Sequence, residues 1–242
     1  MGSTFVFIHI PKTGGVSVLQ TLDRQVEKAG NLRCDAAPSA VPDQLVATVQ
    51  NRSGRGLTTI VHGHLPYGVH ESLGLERARY FTLLRDPIDR VISAYYYLSA
   101  VPPESLSEVE RDLISMGLEG AVASGSSHNF DNQMVRQLCG TNTQTPIGSC
   151  TAADAERALL NLTTGIEVVG DLARIEDFYA QLATRFGWVV PSGRGPRAHI
   201  TPSRPSLDDL KPRTREVISE FNRFDVWLYE QAHIEIEGLQ PT

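Results

Sequence analysis

Phe5-Val-Phe-Ile-His-Ile-Pro-Lys-Thr-Gly-Gly-Val-Ser17 joins an apolar run to a loop in which a lysine is followed by two glycines. Residues 4 to 10 are almost all β-branched, aromatic or otherwise apolar, the pattern of a strand covered on both faces within a parallel sheet. A helical pattern follows, to about Ala29. A strand that ends in Pro11-Lys12-Thr13-Gly14-Gly15 and enters a helix has the parts of an anion cradle. Glycines let backbone N–H groups turn toward the anion, the helix start adds partial positive charge, and Lys12, Thr13 and Ser17 carry donors. The residue order is informative: the nucleoside-triphosphatase loop G-x-x-x-x-G-K-[ST] has its lysine after the glycines, and that pattern is absent here. A tight strand-to-helix turn that simply needs glycine is the structural alternative.

Outward from this loop the chain alternates short apolar runs with helical periodicity. Strands are expected at 58–62, 80–84 and 167–169, and helices at 87–99, 104–117, 127–139, 152–162 and 173–187, the alternation of an α/β sheet with crossovers. Residues 188–205, rich in Gly, Pro, Ser and Arg, read as a long loop, and two helices close the chain. Ser206 with Asp209 resembles a capping box for the first, and Asp225 is a candidate cap for the second. From 194 to 215 the sequence carries Arg194, Arg197, Arg204, Lys211, Arg213 and Arg215 against Asp208 and Asp209. This locally basic stretch is a candidate lid over an anionic ligand.

Composition narrows the function classes. The chain has 242 residues, 41% of them hydrophobic, and a net charge of -6, which suits one domain spanning 1–242 and argues against a general nucleic-acid binder. No apolar run approaches a membrane span of about 18 residues. The opening Met1-Gly2-Ser3-Thr4 shows no secretory signal, so the expected location is cytoplasmic. Cys34, Cys139 and Cys150 are too few and too irregular for a disulfide framework or a zinc site, and reduced thiols are expected.

A second segment, Leu84-Arg-Asp-Pro-Ile-Asp-Arg-Val-Ile-Ser-Ala-Tyr-Tyr96, places Arg85 at a strand end and Ser93 two turns into the next helix, with Asp86 as N-cap and Pro87 at the first helical position. An arginine fork and a hydroxyl are suitable donors to a phosphate. The two segments together suggest two phosphate sites at the carboxyl ends of parallel strands.

These segments, "HIPKTGG" and "LRDPIDRVISAYY", resemble the nucleotide-binding signatures of the sulfotransferases that use 3′-phosphoadenosine 5′-phosphosulfate, in the carbohydrate branch typified by heparan sulfate 2-O-sulfotransferase. Further segments are similar in the same order: "VHGHLPYG" (61–68), "DNQMVRQLCG" (131–140), "VVGDLARIEDF" (168–178), "RAHITPSRP" (197–205) and "RFDVWLYEQA" (223–232). The resemblance implies an α/β, P-loop-type three-layer fold, with a central parallel sheet flanked by helices. It assigns the 5′-phosphosulfate to Lys12, Thr13, Gly14, Gly15, Val16 and Ser17, and the 3′-phosphate to Arg85 and Ser93. Arg204 belongs to the segment that covers the nucleotide. The pair Cys139 and Cys150 is similar to a disulfide of the family's Golgi members.

What the resemblance implies chemically is sulfuryl transfer from 3′-phosphoadenosine 5′-phosphosulfate to an acceptor hydroxyl, on a carbohydrate or another hydroxyl-bearing molecule, with no metal. Positive side chains then have to stabilise the leaving phosphate, and Lys12 is the candidate to reach the bridging oxygen. The general base falls to His64, with His62 as the neighbouring candidate, because a neutral imidazole accepts a proton at cellular pH. His9, His70, His128 and His233 read as structural. Two alternatives stay open: a P-loop nucleotide kinase-like enzyme, and a nucleotide-binding protein without catalysis.

Overall fold

The computed structural model describes residues 3–26, 30–34, 41–190 and 204–236. The chain opens with β1 (Thr4–Ile8), α1 (Gly15–Leu22), β2 (Asn31–Arg33), α2 (Asp43–Gly54), β3 (Thr59–Gly63), α3 (Val69–Ser72), β4 (Arg79–Leu84) and α4 (Pro87–Ser99). It continues through α5 (Glu108–Ser115), α6 (Gly117–Ala123), α7 (Gln133–Leu138), α8 (Ala152–Thr164), β5 (Ile166–Asp171) and α9 (Ile175–Phe186), and the described residues end with α10 (Pro212–Phe221) and α11 (Arg223–Glu235).

The strands form one five-stranded sheet in the order β2-β3-β1-β4-β5, every pairing parallel. β1 is central and buried along its whole length, as its apolar run requires. Successive side chains of a strand alternate faces, and both faces are covered. Phe5 and Phe7 join Ile60, Phe81, Leu83 and Val168 beneath Val18 and Leu22 of α1 and Phe178 and Leu182 of α9. Val6 and Ile8 join Val61, Tyr80, Leu84 and Val169 beneath Leu138 of α7, Ala158 and Leu162 of α8, and Leu228 of α11. The result is a three-layer α/β fold with a central parallel sheet flanked by helices. A separate apolar cluster unites α4, α5, α6 and α10 through Val91, Ile92, Leu113, Val122 and Ile218.

From β1 the chain goes to the edge at β2, returns to β3 beside β1, and then crosses to β4 on the other side of β1. The carboxyl ends of β3, β1 and β4 therefore flank the point where the chain changes direction across the sheet, the usual ligand crevice of an open α/β sheet.

Several expectations need correction. β1 stops at Ile8 and not at residue 10, because Pro11 cannot donate to a strand ladder and Lys12 turns left-handed (φ 70°). β2, only three residues long, has no period for the sequence to display. Ser206 does bond Asp209, its hydroxyl at 2.6 Å, but α10 starts at Pro212, where proline favours a first helical position. Asp225 does not cap α11, whose N-cap is Asn222; it accepts N–H bonds from Met134 and Val135 at 3.1 and 2.8 Å and so caps α7. Of the basic stretch 194–215 read as a candidate lid, residues 194–203 lie outside the described residues.

Candidate functional site

The loop after β1 leaves the sheet through Ile10 and is closed on itself. The Thr13 amide bonds the Ile10 carbonyl at 3.4 Å, and the Thr13 hydroxyl donates to the same oxygen at 2.9 Å. Thr13 is fully buried, and its hydroxyl is committed to holding the loop. Gly14, in the left-handed region at φ 88°, is the N-cap of α1, and no side chain caps the helix. The Ser17 N–H bonds the Gly14 carbonyl at 3.1 Å, and the N–H groups of Gly15 and Val16 ahead of it have no carbonyl within the helix to bond. Glycine is required here twice over, since a Cβ would sit 2.5 Å from Leu172 Cδ1 at the end of β5. At Gly15 a Cβ would lie 2.0 Å from the His9 ring, so the imidazole rests directly on the loop. Val16 is exposed and offers its amide; Ser17 lies buried in the first turn.

Lys12 is itself in the left-handed region, an uncommon conformation for a residue with a Cβ. Its ammonium lies 3.8 Å from the centre of the Tyr97 ring on α4, a side chain that is 51% exposed. Burial, then the charges of Arg85 and Arg204, bring the Lys12 pKa down to about 8. The two guanidinium groups therefore lie close enough to disfavour the Lys12 charge.

Arg85 follows β4 directly. Its Nη1 donates to the Lys12 carbonyl at 2.6 Å, which ties the second segment to the first loop. Its Nε donates to Asp89 at 2.8 Å, and Arg204 donates to the other Asp89 oxygen. Asp86 caps α4 as expected, accepting the Asp89 N–H at 2.8 Å, with Pro87 in the first turn. Ser93 lies buried one turn beyond Asp89, on the same helix face.

The histidines divide by position. β3 ends at Gly63, and His64 beyond it is exposed, whereas His62 is 8% exposed within the strand. The His64 ring lies 5.1 Å from that of His9. His9 is not a buried member of the first strand: it stands past the end of β1, half-buried, stacked on Phe7 and leaning on Gly15. Behind both histidines is α7. Gln137, fully buried, donates to the His9 carbonyl at 3.2 Å and the Leu65 carbonyl at 3.1 Å, and Asn142 donates to the His64 carbonyl at 2.9 Å. His70 bonds the Tyr80 hydroxyl at 2.9 Å, a structural place. His233 pairs with Asp171 at 3.1 Å, and Tyr229 donates to the same carboxylate.

Lys12, Arg85 and Arg204 are thus brought together at the ends of β1 and β4, with His64 and His9 toward β3. Asp89, Tyr97, Gln137 and Asn142 were not singled out from sequence, and His9 was read there as structural. His9 had a local signal, its place two residues before Pro11; Asp89 had its i+4 spacing from Arg85. Gln137 and Asn142 act through contacts across more than 70 positions of sequence. Cys139 and Cys150 are buried thiols with no disulfide between them, and burial pushes Cys150 up to about 12. Among the described residues no group of His, Cys, Asp or Glu could hold a metal ion, and no helix is long and apolar enough to cross a membrane.

No protein-family model matches the chain. Similar curated proteins include heparan sulfate 2-O-sulfotransferase 1 of Homo sapiens, Cricetulus griseus and Gallus gallus, each 26% identical over 187 residues, covering 72% of this chain and 50% of theirs. The chain spans about half the length of these relatives, which bear the name typifying the carbohydrate branch its motifs resemble. Among solved structures, mouse sulfotransferase SULT7A1 complexed with PAP aligns at a TM-score of 0.48 and 12% identity over 96% of this chain and 89% of that one.

Proposed function

We propose that the protein is a sulfotransferase that moves a sulfuryl group from 3′-phosphoadenosine 5′-phosphosulfate to an acceptor hydroxyl on a carbohydrate. The observation that carries the reading is the gathering of Lys12, Arg85 and Arg204 around one glycine loop at the carboxyl ends of β1 and β4, with an exposed imidazole, His64, at the adjacent end of β3. The similarity to heparan sulfate 2-O-sulfotransferases supports the donor and the carbohydrate class of acceptor.

In this reading the N–H groups of Gly14, Gly15 and Val16, with Ser17, hold the 5′-phosphosulfate, and Arg85, Ser93 and Arg204 hold the 3′-phosphate. The acceptor oxygen attacks sulfur in line, and the bond between sulfur and the bridging oxygen breaks. That oxygen keeps the electron pair and leaves on 3′-phosphoadenosine 5′-phosphate, while the acceptor proton passes to His64. Lys12 faces the charge that develops on the leaving oxygen. Its ammonium lies over the Tyr97 ring; a phosphate is a stronger partner for a cation than an aromatic face. Gln137 and Asn142 fix the backbone on which His9 and His64 are carried.

Incubation with sulfur-labelled donor and a panel of acceptors, from glycosaminoglycans to small alcohols, tests the assignment. Label is expected on a glycan hydroxyl, and in calorimetry 3′-phosphoadenosine 5′-phosphate should bind in preference to ATP. Preference for ATP, or no transfer to any acceptor alongside ATP hydrolysis, would point to a kinase-like enzyme instead.

A further inference from the structure

Asp89 makes ion pairs with both arginines of the donor site. Its Oδ2 accepts from Arg85 Nε at 2.8 Å and Nη2 at 2.7 Å, and its Oδ1 accepts from Arg204 Nη1. Helix capping does not explain the residue, because the cap of α4 is Asp86. Nor can the carboxylate withdraw with a loop, since Asp89 is inside the first turn of a thirteen-residue helix. Arg85 is equally fixed, its Nη1 bonded to the Lys12 carbonyl. Burial favours protonation of Asp89, but the hydrogen bonds and charges of Arg204 and Arg85 outweigh it and hold the carboxyl below its ordinary range.

We propose that Asp89 is the resident anion of the donor site: it pairs with Arg85 and Arg204 and competes with the incoming 3′-phosphate, and so limits how tightly a 3′-phosphorylated nucleotide is held. The inference rests on the sulfuryl-donor reading of the site. A 3′-phosphate brings up to two negative charges and three acceptor oxygens, enough to draw both guanidinium groups from a single carboxylate. A nucleotide with a 3′-hydroxyl brings neither and leaves the two pairs intact. The carboxylate therefore weakens binding of every nucleotide whose phosphate must sit beside it, and only a strong anion overcomes it.

The test is calorimetric titration of the full chain with 3′-phosphoadenosine 5′-phosphate and with adenosine 5′-phosphate, which lacks the 3′-phosphate, using the parent, Asp89→Asn and Asp89→Ala. Removing a like charge beside the bound phosphate should tighten the first ligand by about tenfold. Adenosine 5′-phosphate should change less than about twofold. In melting experiments both variants should be less stable than the parent without ligand yet gain more on adding 3′-phosphoadenosine 5′-phosphate. Equal or weaker binding of that ligand by the variants, or loss of fold in both, would overturn the role and leave Asp89 a brace for Arg85. A parent chain that binds neither nucleotide would remove the inference together with the reading beneath it.

Discussion

His64 and His62 are two residues apart in sequence and differ in what they can reach. His64 is exposed beside the His9 ring, whereas His62 is packed into β3, opposite Phe7 of β1 and Arg33 of β2. If His64 takes the acceptor proton, His64→Ala should lower turnover by roughly 10²–10⁴-fold with little change in nucleotide affinity. His62→Ala should show its main effect as a lower melting temperature. An active His64→Ala protein beside an inactive, folded His62→Ala protein would transfer the role to His62. Lys12 gives a pH prediction at the same scale. Its pKa is lowered to about 8 by burial and the neighbouring arginines, so its ammonium is present below that value and lost above it. Donor affinity, measured by calorimetry, should be level on the acid side of about 8 and fall as pH rises through it; a profile flat to pH 10 would show that Lys12 does not touch the nucleotide.

At the scale of elements, the site depends on a joint between two helix starts. Asn132 donates its backbone N–H to the Asn222 side chain, and the Asn132 side-chain Oδ1 accepts from the N–H groups of Phe224 and Asp225. Asp225 in turn caps α7, the helix whose Gln137 and following Asn142 hold the histidine backbones. Arg90 of α4 is fully buried, and its one charged partner among the described residues is Asp225 at 3.9 Å. Asp225→Ala would leave that guanidinium uncompensated and two helix N–H groups open, at a cost of about 3–5 kcal/mol. Urea unfolding should show it; a loss below about 1 kcal/mol would mean that water relieves Arg90. Sequence alone could identify Asp225 as a capping residue type. It could not show that the helix it caps lies some ninety residues earlier, because that bond is made by tertiary packing.

For the whole molecule, the strand order explains why the candidate site residues meet. β1, β3 and β4 each deliver one short motif to the same edge of the sheet, so Lys12, His64 and Arg85 converge although their segments are far apart in sequence. The β-branched and aromatic composition of these strands and the glycines after β1 made both the α/β class and the three motifs legible. What stayed hidden was relational: the three-residue edge strand β2 carries no pattern, and Asp89, Gln137 and His9 acquire their places only through neighbours in space. The account's central claim is that this edge binds a nucleotide carrying both a 5′-phosphate and a 3′-phosphate. The most direct test is the ratio of affinities for 3′-phosphoadenosine 5′-phosphate and adenosine 5′-phosphate, measured by calorimetry on the parent and on Arg85→Ala. The account predicts a strong preference for the first ligand in the parent, reduced at least tenfold in the variant by loss of one charge-assisted contact. A parent without that preference, or a variant that keeps it in full, would contradict the claim.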